Sequence, residues 1–242
     1  MRCPGEVWFL PPEAREAGDP KWRRHVLLTS CDDQDDVGVF SYASTSSVEA
    51  AHGGASYFLD PSLSGQVTAS PFAAPTYITP CRLIPAPSRD MRRFMGTITR
   101  ELPAVRRQLK RAIGLGTGTA ASGMAMGSLR GVVANLSPQL AVECGSRFAV
   151  IVTEPAYSLS QRYQLILPLV DATEYEQEDY DVVVIGKEWT QRVSYGLTTV
   201  LMSPKHIQAA FHPIDLASVL PAIVDENTIH EIDIALTRLF GL

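Results

Sequence analysis

What this chain has little of narrows its identity before any motif is considered. Its 242 residues contain no apolar run near the roughly 20 needed to cross a bilayer, so no membrane span is expected. Met1-Arg2-Cys3-Pro4-Gly5-Glu6 reaches its charges before any apolar signal region, which points to the cytoplasm. Cysteine is scarce. Cys3, Cys31, Cys81 and Cys144 form no CxxC pair and no cluster with histidine, which argues against a structural zinc site; free thiols in a reducing compartment are expected. There is no G-x-S-x-G elbow, no HExxH and no P-loop, so the commonest hydrolase, metalloprotease and nucleotide-binding signatures are absent. Charge of either sign is modest: 19% of residues are charged and the net charge is −5. It is also uneven. Residues 1–127 hold 14 Lys+Arg against 12 Asp+Glu, and residues 128–242 hold 7 against 14. A protein gripping a polyanion along its whole surface would not look like this, whereas a local basic patch on the first half is compatible with it.

What is present is a repeat. Gly5-Glu6-Val7-Trp8-Phe9-Leu10-Pro11-Pro12 is echoed by Gly131-Val132-Val133-Ala134-Asn135-Leu136-Ser137-Pro138, with Gly, Val, Leu and Pro at four matching places. Each copy leads through a polar loop to an Arg and an apolar run, Arg24-His25-Val26-Leu27-Leu28-Thr29 and Arg147-Phe148-Ala149-Val150-Ile151-Val152-Thr153. Each also ends alike, Val105, Leu109, Ile113, Gly114 and Leu115 matching Ile232, Leu236, Phe240, Gly241 and Leu242. The reading is two copies of one small domain, 1–115 and 129–242, joined by a Gly/Ser/Ala-rich linker at 116–128. A solenoid would need shorter and more numerous repeats.

Taken in order, residues 5–10 read as a strand closed by Pro11-Pro12, His25–Ser30 as a buried strand and Val37–Ala43 as the next. Asp32-Asp33-Gln34-Asp35-Asp36 reads as a solvated turn, because a calcium loop would need Gly and a terminal Glu at set positions. Ala55–Leu59 and Gln66–Ala69 are short strand candidates, and Thr76–Ile84 a strand interrupted at Pro80 by a bulge or edge. A helix is predicted over about Pro103–Ile113, apolar at Val105, Leu109, Ala112 and Ile113, basic at Arg106, Arg107, Lys110 and Arg111, and ended by Gly114. The GxGxG after it follows a helix rather than a strand, so it is no dinucleotide fingerprint. In the second copy strands are predicted at 131–136, 147–153, 164–170, 181–185 and 197–202, and a helix at Glu226–Phe240 capped by Asp225 or Asn227. Five to seven short strands and a C-terminal helix per copy close most simply as a small barrel carrying one helix.

Two readings stand for Arg24 and Arg147, which open matching apolar strands. Each is either a strand-edge Arg paired with an acid or a guanidinium whose flat fork is aimed at a phosphate. The hydroxyl cluster Ser44-Thr45-Ser46-Ser47 reads as a polar loop unless Arg24 lies across from it. Arg with a hydroxyl could then hold a phosphate and stabilise a pentacoordinate transition state without a metal or cofactor. His25, His52, His206, His212 and His230 do not cluster in sequence and are read as structural or surface residues.

In their order and spacing these stretches resemble the MazF/PemK family of bacterial toxins, in two passes over nearly the whole chain. The opening strands and the Pro that follows, the Arg-led second strands, Val39–Thr45 and the last helix carry the resemblance. It implies a mainly β fold with α-helix, two tandem SH3-like barrels of MazF/PemK/CcdB type, each with a C-terminal helix. It implies a toxin–antitoxin endoribonuclease that cleaves single-stranded RNA without a metal, leaving a cyclic phosphate and a 5′-hydroxyl, with a small antitoxin as partner. Carried over, Arg24 takes the catalytic Arg and Ser44 or Thr45 the catalytic hydroxyl; Arg23, Ser46, Arg147 and Glu143 are the substrate-binding candidates. The second hydroxyl position falls on Val170 or Asp171, and His25 replaces the Pro usual after the Arg. The resemblance therefore implies a single-chain pseudo-dimer, monomeric in solution, with its one complete site in the first copy. The alternative is a catalytically degenerate binding or regulatory module holding a protein or nucleic acid. A related barrel that inhibits DNA gyrase is a third possibility.

Overall fold

The computed structural model describes residues 1–11, 23–31, 36–45, 56–62, 70–115, 129–154, 163–173, 175–179, 181–185, 199–211 and 215–242. It is mainly β, with three α-helices among the described residues and curled antiparallel sheet, and it divides into two compact units, Met1–Ala112 and Ile113–Leu242. The expected linker 116–128, the strand candidate 66–69 and the acidic turn 32–35 lie outside the described residues.

In the first unit, β1 (Glu6–Leu10), β2 (Arg23–Leu27), β3 (Val37–Ser44), β4 (Tyr57–Leu59), β5 (Thr76–Pro87) and β6 (Arg93–Thr97) form one sheet in the order β4-β5-β3-β2-β1-β6. Helix α1 (Leu102–Ala112) follows and packs on β5 and β4. It buries Leu102, Val105, Leu109 and Ala112, the stripe that its 3.6-residue period predicts, and Leu109 alone stabilises by about 1.5–3 kcal/mol. Its basic face is less uniform than the sequence suggests. Arg107 and Arg111 are exposed, but Arg106 is half-buried and donates from Nη2 to the Leu28 carbonyl at 3.4 Å.

The second unit contains β7 (Val132–Leu136), α2 (Pro138–Cys144), β8 (Phe148–Ile151), β9 (Tyr163–Pro168), β10 (Val170–Asp171), β11 (Val182–Ile185), β12 (Thr199–Met202), β13 (Gln208–Phe211), β14 (Leu216–Ile223) and α3 (Glu226–Phe240). Two sheets are formed, β13-β9-β8-β7-β14 and β10-β12-β11. Together they restate the first unit's sheet. The order β13-β9-β8-β7-β14 repeats β5-β3-β2-β1-β6. The small sheet repeats the end of β3, the start of β5 and β4, since Ser44↔Tyr77↔Phe58 is matched by Val170↔Leu201↔Val183. The difference lies at two prolines. In the first unit β5 runs on past Pro80, with residues 80–82 left over where the register shifts from Tyr42↔Thr79 to Ser41↔Leu83, a bulge of the kind Pro80 predicts. In the second unit the same place is a 3-10 turn, Pro204–His206, which splits the strand into β12 and β13.

Two small devices recur at equivalent positions. Gly5 donates its N–H to Leu27 and accepts from Ile98; Gly131 donates to Ile151 and accepts from Val224, each bond 2.8 Å. Both glycines are left-handed, φ 92° and 79°, a region that other residues enter only with strain. A buried threonine hydroxyl also bridges the second and third strands: Thr29 Oγ1 accepts from the Val39 N–H at 3.0 Å, and Thr153 Oγ1 from the Leu165 N–H at 2.6 Å.

Several elements differ from the sequence expectation. β2 begins two residues earlier than His25, and the stretch 164–170 is divided at Leu169. β6, β13 and β14 were not expected. The Pro loop after β7 contains α2, whose Ser137 cap accepts from Leu140 N at 3.3 Å, with Pro138 in the first turn and Gly145 ending it at φ 61°. Of the two cap candidates for α3, Asp225 serves, accepting from Thr228 N at 3.1 Å.

Replacing either threonine by the isosteric valine leaves a buried strand N–H without its acceptor. Thr29→Val and Thr153→Val are each expected to lower stability by about 1–3 kcal/mol. Urea unfolding measures this, and an unchanged midpoint in both would show that the hydroxyls carry none of it.

Candidate functional site

The sequence candidates gather where β2 begins and β3 ends. Antiparallel pairing sets Arg24 opposite Ala43, and His25 opposite Tyr42. Residues directly opposite share a face and neighbours along a strand alternate, so the faces can be read off. Arg23, His25, Tyr42 and Ser44 lie on one face. Arg24 and Ala43 lie on the other, and Thr45, exposed and one residue past the strand, continues that line. Arg24 is therefore separated from Ser44 by the thickness of the sheet, and its guanidinium stands 5.9 Å from the ring of the buried Phe72. Arg23 and Ser44 are both half-buried. Ser46 lies outside the described residues.

The register also changes the correspondence between copies. Phe9 faces Arg24, whereas its counterpart Asn135 faces Phe148; the residue matching Arg147 is thus Arg23. Gly5 with Leu27 and Gly131 with Ile151 set the same alignment. The shared signal in the sequence is the threonine six residues on, Thr29 after Arg23 and Thr153 after Arg147. Arg147 itself is exposed, lies 5.5 Å from the ring of Phe148 and donates from Nε to Asn135 Oδ1 at 3.4 Å. Glu143 is exposed near the end of α2.

At the positions matching Ser44 and Thr45 the second unit has Val170 and Asp171. Asp171 accepts from the Thr173 N–H at 2.9 Å and hydroxyl at 2.7 Å, and these bonds hold its carboxyl below the usual range. It is a fixed negative charge at neutral pH, where a phosphate would be repelled.

Beside Arg23 sits a cluster that the linear sequence does not announce. His25 is 2% exposed; its Nδ1 lies 3.1 Å from the Arg23 carbonyl, and its Nε2 has no hydrogen-bond partner among the described residues. Its ring meets Tyr42 edge-on at 5.5 Å, and the Arg82 guanidinium lies 3.9 Å over the other ring. Arg82 arrives there because it is the last of the three residues bulged out after Thr79. Burial, only partly opposed by the bond to the Arg23 carbonyl and reinforced by the charges of Arg82 and Arg23, lowers the His25 pKa from 6.5 to about 3. The imidazole is neutral at pH 7 and too weak a base to take a proton there. The second unit has Ala149 and Pro168 at the places of His25 and Tyr42. Among the described residues no three His, Cys, Asp or Glu side chains gather to hold a metal, and no helix is long and apolar enough to cross a membrane.

Compared with protein-family models and with curated proteins, the chain matches none.

Because its folded pKa is depressed, His25 contributes stability that is fully present above pH 6.5 and is lost as pH falls towards 3. Between pH 7 and pH 5 the wild type is expected to lose about 2 kcal/mol more than His25→Leu. Denaturant titrations at the two pH values test this, and equal losses would place the titrating group elsewhere.

Proposed function

We propose that the chain is a toxin-like, metal-independent endoribonuclease acting on single-stranded RNA, with its site in the first unit where β2 begins and β3 ends. The observation that carries the reading is the gathering of two arginines and two hydroxyls at one sheet end: Arg24 stands opposite Ala43, so Arg23 shares a face with Ser44, and Arg24 a face with Ala43 that Thr45 continues. A strand of RNA laid over that end meets both pairs. The ribose 2′-hydroxyl attacks the adjacent phosphorus and gives up its proton to water, the bond to the 5′-oxygen breaks, that oxygen takes a proton from water, and a cyclic phosphate and a 5′-hydroxyl remain. Arg24 neutralises charge on the pentacoordinate phosphorus, and Thr45 donates a hydrogen bond to the same group. Arg23 and Ser44 hold the neighbouring nucleotide.

The finer description of the fold, two tandem SH3-like barrels of MazF/PemK type, belongs to this proposal. The strand order found twice and the helix that ends each copy support it. So does the loss of the hydroxyls from the second unit, which suits one site per chain and a partner copy that has drifted. A small antitoxin and a cytoplasmic setting are part of the same reading. The second reading, a degenerate module that binds without cleaving, draws on Asp171 and on the acidic balance of residues 128–242.

Purified protein is expected to cleave mixed-sequence single-stranded RNA in EDTA, leaving 5′-hydroxyl ends, with cleavage at least about 100-fold slower in Arg24→Ala. A folded wild type that leaves the RNA intact would overturn the ribonuclease and favour the binding module. Light scattering is expected to give a single chain of 26.4 kDa; twice that mass would count against the single-chain pseudo-dimer.

A further inference from the structure

The face that carries Arg23 and Ser44 continues across the sheet into aromatic residues. Ser44 is paired with Tyr77 on β5, and Tyr77 with Phe58 on β4. Directly opposed residues share a face, so Arg23, Ser44, Tyr77 and Phe58 form one row across four adjacent strands. The two rings at its end stand 5.0 Å apart at 46°. Phe58 is 47% exposed although it belongs to a strand whose neighbours Tyr57 and Leu59 turn inward, Leu59 being 3% exposed. An exposed ring on an edge strand loses hydrophobic stabilisation, and among the described residues Phe58 meets one other ring, the half-buried Tyr77 of the next strand. The same row in the second unit reads Arg147, Val170, Leu201 and Val183, with no hydroxyl and no ring. The aromatic ending therefore accompanies the copy that keeps the hydroxyls.

We infer that this row is a subsite for the bases of single-stranded RNA, in which a nucleotide beside the reacting phosphate stacks on Phe58 and Tyr77 while Arg23 holds its phosphate. The inference rests on the ribonuclease reading for its choice of ligand. The chemistry matches: rings offer every base a face without demanding its sequence, a guanidinium meets the phosphate, and the four residues follow one line as a nucleotide chain would. Arg82, over Tyr42 in the row beside it, adds a second positive charge on the same face.

The test uses the full chain and a fluorescein-labelled, mixed-sequence single-stranded RNA with 2′-O-methyl riboses, which binds but cannot undergo 2′-hydroxyl attack. Phe58→Ala is expected to weaken binding by about tenfold or more, the range that loss of one base–aromatic contact produces, and Phe58→Trp to retain it. Val142→Ala, changing an 83% exposed residue of the second unit, is the control and leaves affinity unchanged. A strand of the same length without bases is expected to bind the wild type and Phe58→Ala alike. Phe58 is exposed, so its truncation leaves the fold intact, which circular dichroism checks. Equal affinity of wild type and Phe58→Ala, a base-free strand bound as tightly as the complete one, or no binding by the wild type would overturn the subsite. Cleavage of ordinary RNA is scored separately. Cleavage with unchanged affinity in Phe58→Ala sinks the subsite and leaves the ribonuclease standing. Weakened binding in Phe58→Ala without any cleavage by the wild type keeps the subsite and sinks the ribonuclease.

Discussion

Each unit is tied together at one glycine. Gly5 and Gly131 immediately precede the first strand of their unit, and each joins three segments through its own backbone, donating to the second strand and accepting from the residue that directly follows the last strand, on the way into the C-terminal helix. The two bonds need the peptide planes on either side of the glycine to face different neighbours, which is what a positive φ provides. A side chain would be strained in that conformation, and at Gly131 its Cβ would also stand 3.3 Å from Ile229 Cδ1, in the first turns of α3. The helix is thereby delivered to the sheet at a set point. Helix α1 then packs on β5 and β4, and α3 on β11 and the 3-10 turn Pro204–His206, the equivalent region of the second copy.

That shared frame lets the two units diverge at their free end without losing the fold. The curled sheet bends near Pro80 and Pro204, one answered by a bulge and the other by a 3-10 turn. The bulge brings Arg82 against Tyr42 and His25; the turn places His206 near Tyr175 instead, the rings 6.4 Å apart. The arginines, hydroxyls and His25 thus gather at the first unit's strand ends, while the glycine and threonine contacts stay alike in both copies. Stability and the candidate site occupy different ends of the same sheet.

How far the site could be read in advance depended on which property was asked for. That Arg24 lies across from the end of β3 was one of two readings of the sequence, and the antiparallel pairing of these consecutive strands, which brings the start of one to the end of the other, decides for it. Which hydroxyl accompanies which arginine was not legible, since a one-residue slip exchanges the faces of a strand. The same slip hid the match of Arg23 with Arg147, although the threonine six residues on in both copies carried it. Phe58 and Arg82 fell within the expected strands Ala55–Leu59 and Thr76–Ile84, but their place beside the site was not legible. Their positions rest on a bulge and on an edge strand of three residues, neither of which leaves a period long enough to count.

By itself the amino-acid sequence determined the duplication, the mainly β character with a helix ending each copy, the apolar stripes of α1 and α3, and the scarcity of metal- and nucleotide-binding motifs. Those follow from local patterning, from periodicity and from residues such as Gly, Pro and Asp225 that act within a few positions of themselves. The tertiary structure decided the strand order, the late strands β6 and β14 that close each copy beside its first strand, and the division of arginines and hydroxyls between two faces. It also decided the burial of His25 as a neutral imidazole. Each of these depends on partners far along the chain, and register, being a relation between two strands, is written in neither strand alone.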